Sequence, residues 1–94
     1  MPDGLKEIGG NIFRDLTSLK KIKLPVSVEK IDVCAFKECS ALEEVVFADG
    51  SQLKEIGEWA FKGTSLKEIK LPASAEKIAK NAFEGCKNLK NKNI

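Results

Sequence analysis

The groups in this chain that could do chemistry are three thiols, 14 carboxylates and 16 basic side chains; histidine and tyrosine are absent from its 94 residues. An enzyme needs convergent groups with tuned protonation, and without histidine the usual general base at neutral pH is missing. Cys34, Cys39 and Cys86 are odd in number and hold no Cys-x-x-Cys pair, which argues against both a disulfide framework and a zinc site. Glu43 and Glu44 stand side by side, but neighbours on a strand point to opposite faces, so they do not make a paired-carboxylate site. Asp49-Gly50-Ser51 offers too few spaced oxygens for a calcium loop and reads as turn chemistry. The expectation is no enzyme, no catalytic residue, no cofactor and no metal.

What these residues can do then depends on the elements that hold them, and those elements repeat. Laid over itself, the chain puts Ile8, Ile31, Ile56 and Ile78 in one phase and Phe13, Phe36, Phe61 and Phe83 in a second, with steps of 23, 25 and 22 residues. Leu19, Leu42, Leu66 and Leu89 make a third phase. No sustained helical or strand period runs through the apolar residues, whereas a repeat of this length marks a solenoid, in which each coil buries its apolar side against its neighbours. Coils are expected at about 5–25, 28–50, 53–72 and 75–94 in one domain spanning residues 1–94.

Each coil carries two extended pieces. The longer falls at 21–24, 44–47 and 68–71, where alternation gives a half-buried strand that Pro25 and Pro72 terminate. The shorter, of which Leu5 to Gly9 is the first, lies on the opposite side. Between them the repeat Phe points inward from a tight turn or one turn of 3₁₀ helix. Stacking the longer strands gives one parallel sheet with outward ladders Lys21, Glu44, Glu68 and Lys23, Val46, Lys70. Lys6, Glu29, Lys54, Glu76 and Glu7, Lys30, Glu55, Lys77 form further ladders in which every vertical neighbour has the opposite sign, a device that fixes register.

Cys39 and Cys86 share with Leu16 and Thr64 the slot three residues after Phe, which is expected to be small and buried. Two coils separate the cysteines, roughly 10 Å at about 4.8 Å per coil, beyond the Cα separation of about 7 Å that a disulfide tolerates. All three thiols are expected free. Trp59 shares its slot with Asn11, Cys34 and Asn81, polar occupants that imply partial exposure. Coils one and three resemble each other, as do coils two and four, which implies duplication of a two-coil unit. Residues 48–52 are two longer than Pro25-Val26-Ser27 and should bulge, and coil three is one residue short between Phe61 and Leu66. The last coil weakens, with Lys92 at a strand position, and the tail from Lys87 should fray. Met1 and Ile94 fall at the same phase, so the chain reads as whole coils excerpted from a longer array, with open ends.

The net charge of +2 is interleaved along the chain, with no basic block to attract nucleic acid and no apolar run long enough for a membrane span. Met1-Pro2-Asp3-Gly4 has neither the basic nor the apolar part of a signal peptide.

The units LKKIKLPVSVEKIDVCAFKEC, LKEIGEWAF with SLKEIKLP, and EKIAKNAFEGC resemble the BspA-type leucine-rich repeat over nearly the whole chain. The resemblance implies a leucine-rich-repeat type right-handed β-solenoid with a parallel sheet and short 3₁₀ or turn segments. Leu16 and Thr64 depart from the pattern where it carries Cys, and Ser27, Gly50 and Ser74 stand where commoner leucine-rich repeats carry an Asn ladder. By resemblance the chain is expected at the cell surface or secreted, as a protein-binding or adhesion module. The surface it would offer is Lys21, Lys23, Glu44, Val46, Glu68 and Lys70. The alternative is a structural spacer, or a segment that self-associates through open solenoid ends.

Overall fold

The structure, a computed structural model, describes residues 4–89 and 91–93. Eight strands follow in chain order: β1 (Glu7–Ile8), β2 (Lys21–Leu24), β3 (Lys30–Ile31), β4 (Glu44–Phe47), β5 (Glu55–Ile56), β6 (Glu68–Lys70), β7 (Lys77–Ile78) and β8 (Asn91–Asn93). Short and long strands alternate, so each circuit of the chain contributes one of each to opposite walls of a parallel solenoid. The narrow wall is a four-stranded sheet in the order β1-β3-β5-β7. Its register pairs Glu7 with Lys30, Lys30 with Glu55 and Glu55 with Lys77, the alternating ladder of the sequence. Lys6 reaches Glu29 at 3.9 Å and Lys30 reaches Glu55 at 4.0 Å, both solvent-exposed pairs of small energetic value.

The wide wall differs from expectation: it is two parallel pairs, β2-β4 and β6-β8, rather than one continuous sheet. The cause is the short third coil. From the repeat Phe to the first strand residue the chain takes eight residues in coils one, two and four (Phe13 to Lys21, for example) but seven from Phe61 to Glu68. The lost residue removes the turn that closes the other coils, where Leu19, Leu42 and Leu89 N–H donate to Leu16, Cys39 and Cys86 carbonyls. Ser65 instead donates its N–H to Leu42 O at 2.9 Å and its hydroxyl to Ser40 O at 2.6 Å. The chain thus enters β6 out of step with β4, and no backbone ladder joins them.

The connecting wall that carries Phe is built of consecutive tight turns, not 3₁₀ helix. In coil two, Ala35, Lys37 and Cys39 N–H bond the carbonyls of Asp32, Cys34 and Phe36, while the intervening Cys34, Phe36 and Glu38 N–H reach Glu58, Ala60 and Lys62 in the next coil. Donors therefore alternate between closing a turn and tying coils together. This needs left-handed backbone two residues before the Phe, at Asn11, Cys34 and Trp59, and two residues after it, at Asp15, Glu38, Gly63 and Gly85. Such positive φ is what the third residue of a type II turn requires. The bulge at 48–52 is the same device, with Ser51 N–H on Ala48 O and Gly50 at φ 79°.

Inside, the four Phe rings stack nearly parallel, with centroids 5.2, 5.2 and 5.5 Å apart. Phe36 and Phe61 are fully buried, and removing such a ring costs about 3–5 kcal/mol. Ile8, Ile31, Ile56, Leu24, Leu42, Leu53 and Leu66 pack with them in the core. Ser27 donates to Leu5 O, and Ser74 to Ser51 O and Leu53 O, so serine hydroxyls tie coils together in the slots where an Asn ladder is absent.

Three further expectations are corrected. Leu16, placed in the buried slot, is 43% exposed, because coil one is the outermost of the described coils and its turn has a neighbour on one side only. Cys34 is buried rather than partly exposed, its small thiol being enclosed at an inner coil. The tail does not fray over Asn91–Asn93: β8 pairs with β6, placing Lys92 opposite Ile69. The shared phase of Met1 and Ile94 lies outside the described residues.

Candidate protein-binding face

The six residues singled out in the sequence lie on the wide wall, on the outer side of its strands. Register sets Lys21 opposite Glu44 and Lys23 opposite Val46 across β2 and β4, and the Lys21 Nζ to Glu44 Oε1 distance is 3.8 Å. Lys21, Lys23, Glu44, Glu68 and Lys70 are exposed, and Val46 is half-buried. The structure therefore brings four of them together and places Glu68 and Lys70 across the break.

That break opens as a groove of about 980 Å³. Residues 43–47 form one wall, Lys67, Glu68 and Lys70 the other, and Asn88 completes it. Glu43, Val45, Phe47, Lys67 and Asn88 were not anticipated there, because the sequence reading assumed an unbroken sheet. The signal available was the missing residue between Phe61 and Leu66.

Two other surfaces carry polar chemistry. Over the narrow wall a shallower groove of about 560 Å³ is flanked by Lys30, Asp32, Glu55, Glu58, Glu76 and Lys77. There the Val33 N–H donates to Asp32 Oδ1 at 2.7 Å and, against a smaller opposing effect of desolvation, holds that carboxyl below its ordinary range, with Glu7 and Lys30 acting in the same direction. On the turn wall Trp59 is half-buried; its indole N–H donates to Glu84 Oε2 at 2.7 Å, and the Lys37 and Lys62 ammoniums lie 5.8 and 6.0 Å from its ring. These contacts occupy the indole edge and the ring within the protein.

The three cysteines are free. Cys39 donates to Phe13 O at 2.9 Å and Cys86 to Phe61 O at 3.0 Å, and Thr64, in the same slot between them, meets Cys86 Sγ at 3.3 Å. Burial pushes the Cys39 thiol up, the Leu16 N–H opposes this and the Asp15 carboxylate adds to it, so the thiol stays protonated at neutral pH. Among the described residues no group of three or more His, Cys, Asp or Glu side chains is placed to hold a metal ion, and no helix is long and apolar enough to cross a membrane.

A family model described as the BspA type leucine rich repeat region (6 copies) matches residues 1–94. The chain belongs to the BspA-type leucine-rich repeat family. The repeat solenoid is thereby both the observed architecture and the family's. This BspA-type chain is similar to the pneumococcal vaccine antigen PcpA, with a TM-score of 0.85 and 32% identity over 95% of the chain. It is also similar to a leucine-rich cell surface protein of Faecalibacterium prausnitzii, with a TM-score of 0.76 and 26% identity over 94% of the chain. The leucine-rich repeat protein TpLRR of T. pallidum gives a TM-score of 0.66 and 25% identity over 99%. The chain spans 24% of PcpA, 29% of the F. prausnitzii protein and 65% of TpLRR. None of the curated proteins compared matches it.

Proposed function

We propose that this BspA-type repeat segment is a protein-binding or adhesion module of a cell-surface protein, and that it meets its partner with the wide wall. The observation that carries this is the exposed double ladder of Lys21, Lys23, Glu44, Glu68 and Lys70 around Val46, beside an open groove of about 980 Å³. On the turn wall the Trp59 indole is engaged within the protein by Lys37, Lys62 and Glu84. The surface location rests on the similar structures, one of a leucine-rich cell surface protein and one of a vaccine antigen. The test reverses Lys21, Lys23 and Lys70 to Glu together and measures binding to a panel of immobilised extracellular proteins. Exposed charges contribute little to folding, so the melt should stay within about 1 kcal/mol while binding weakens about tenfold or more. Binding unchanged in the triple variant would place the partner elsewhere.

A second reading, end-to-end assembly, is favoured by one feature. The outer strands of the narrow sheet are β1 and β7. Stacking one copy on the next would set Glu76 and Lys77 against Lys6 and Glu7 of the next copy, continuing the sign alternation. Sedimentation over a concentration series tests it: association that weakens with salt supports assembly, and a monomer throughout removes it.

A further inference from the structure

We infer that the wide wall takes an acidic, extended segment of the protein partner, which lays an apolar side chain on Val46 and sets a carboxylate on either side of it against Lys23 and Lys70. This rests on the wide wall being the binding face, and adds to it the chemistry of the partner.

One row of side chains breaks the rule that the others follow. On the narrow wall lysines and glutamates alternate from coil to coil, Lys30 standing between Glu7 and Glu55. On the outer side of the wide wall, the row Lys21, Glu44, Glu68 holds two acids, and Lys21 is already paired with Glu44 at 3.8 Å. Where the strands begin, Lys20, Glu43 and Lys67 alternate in sign. The row Lys23, Val46, Lys70 contains no carboxylate. Register sets Lys23 opposite Val46, where a glutamate would have continued the alternation. Both lysines are exposed, and among the described residues neither ammonium lies within 4.0 Å of a carboxylate. Two cations flanking an apolar residue add nothing to the pairing of the strands, so folding and register do not account for this row.

The row selects both the sign and the shape of what meets it. An ammonium is a donor without acceptor capacity, so a carboxylate satisfies it and another cation does not. Exposed ion pairs are individually weak, but here each would flank an apolar contact on the half-buried Val46, which keeps water from its side. An extended segment points alternate side chains the same way, and its residues i, i+2 and i+4 cover about 13 Å. β2 and β4, as ladder partners, stand about 4.8 Å apart, and β6, freed from a ladder by the break, has Cα atoms within 8 Å of β4. A segment crossing the strands with acid, apolar and acid at alternate positions therefore spans the row, and the flexible lysine stems take up the remainder. An acidic polymer without apolar side chains would meet the ammoniums and leave Val46 uncovered.

The test uses the 94-residue chain and a fluorescein-labelled synthetic peptide with glutamate, valine and glutamate at alternate positions between serines, read by anisotropy. The same peptide with lysine for glutamate is the control, and heparin serves as the acidic polymer without apolar side chains. The acidic peptide should bind the native chain, less tightly as salt rises, and the control should not. Lys23→Glu with Lys70→Glu should weaken binding about tenfold or more, whereas Lys20→Glu with Lys67→Glu, the same change in net charge on the same wall, should alter it no more than about twofold. Val46→Ser should weaken the peptide about threefold or more and leave heparin unaffected. Equal losses in the two double variants, native-like peptide binding by Val46→Ser, or no binding of the acidic peptide to the native chain overturns the proposal. All these positions are exposed or half-buried, and thermal melts confirm that each variant is folded; if Val46→Ser is not, the comparison of the two double variants decides. The panel proteins separate this inference from the reading beneath it. If the Lys21, Lys23, Lys70 reversal abolishes their binding while the acidic peptide fails to bind the native chain, the wide wall stands as the binding face and the acidic partner does not.

Discussion

Single residues set how closely the coils approach. Gly57 shows this most sharply, since a Cβ there would lie 2.8 Å from Val33 N and 3.0 Å from Asp32 C, both backbone atoms that have no free rotamer to yield. The equivalent Gly9 has nothing within 4 Å of the same position. Gly57→Ala should therefore cost about 1–3 kcal/mol, as overpacking does, whereas Gly9→Ala should be neutral or slightly stabilising through the unfolded state. Paired denaturant melts check the contrast, and equal effects at both sites would show that the coils are not packed as described. The sequence offered only half of this. Gly9, Asp32, Gly57 and Ala79 each follow the repeat Ile, but which of them faces a neighbouring backbone depends on coil-to-coil distance. The left-handed turn residues were likewise half legible: Gly63 and Gly85 point to them, but Asp15 and Glu38 in the same slot do not.

Among the elements, the strands and their register were the most readable part, because opposite charges and apolar residues recur in phase. Residues 21–24 and 44–47 are strands as expected, and the Glu7, Lys30, Glu55, Lys77 ladder is the observed register of the narrow wall. The break in the wide wall was not read, although its cause, one missing residue before Leu66, was visible. The reason is physical. A deletion in a repeat shows that something must give, but whether the chain loses a turn, a bulge or a ladder depends on which donor finds which acceptor. Here Ser65 captured Leu42 O, and the consequence surfaced at β6. The same blind spot explains the site: Glu44, Val46, Glu68 and Lys70 line the groove as residues of the expected face, while Glu43, Phe47 and Lys67 matter only once that face is split.

The whole molecule is a short stack, 29 × 24 × 19 Å with a radius of gyration of 11.7 Å. A globular domain of this length has about 12 Å, so the coils make a body as compact as one with a closed core. In such a stack each coil is tied only to its neighbours, and the integrity of the whole reduces to the bonds between successive coils. Those bonds are continuous along the narrow wall and the turn wall and interrupted once on the wide wall, and the functional proposals follow from that difference. Amide hydrogen exchange across the native chain tests this most directly. Phe36, Glu38, Glu43 and Lys54 donate their N–H groups across coils and should be protected together, near the global stability, while Lys67, the counterpart of Glu43 across the break, should exchange far faster. Protection of Lys67 equal to that of Glu43 would mean an unbroken wide sheet, and rapid exchange at Phe36 and Glu38 would contradict the stacked coils themselves.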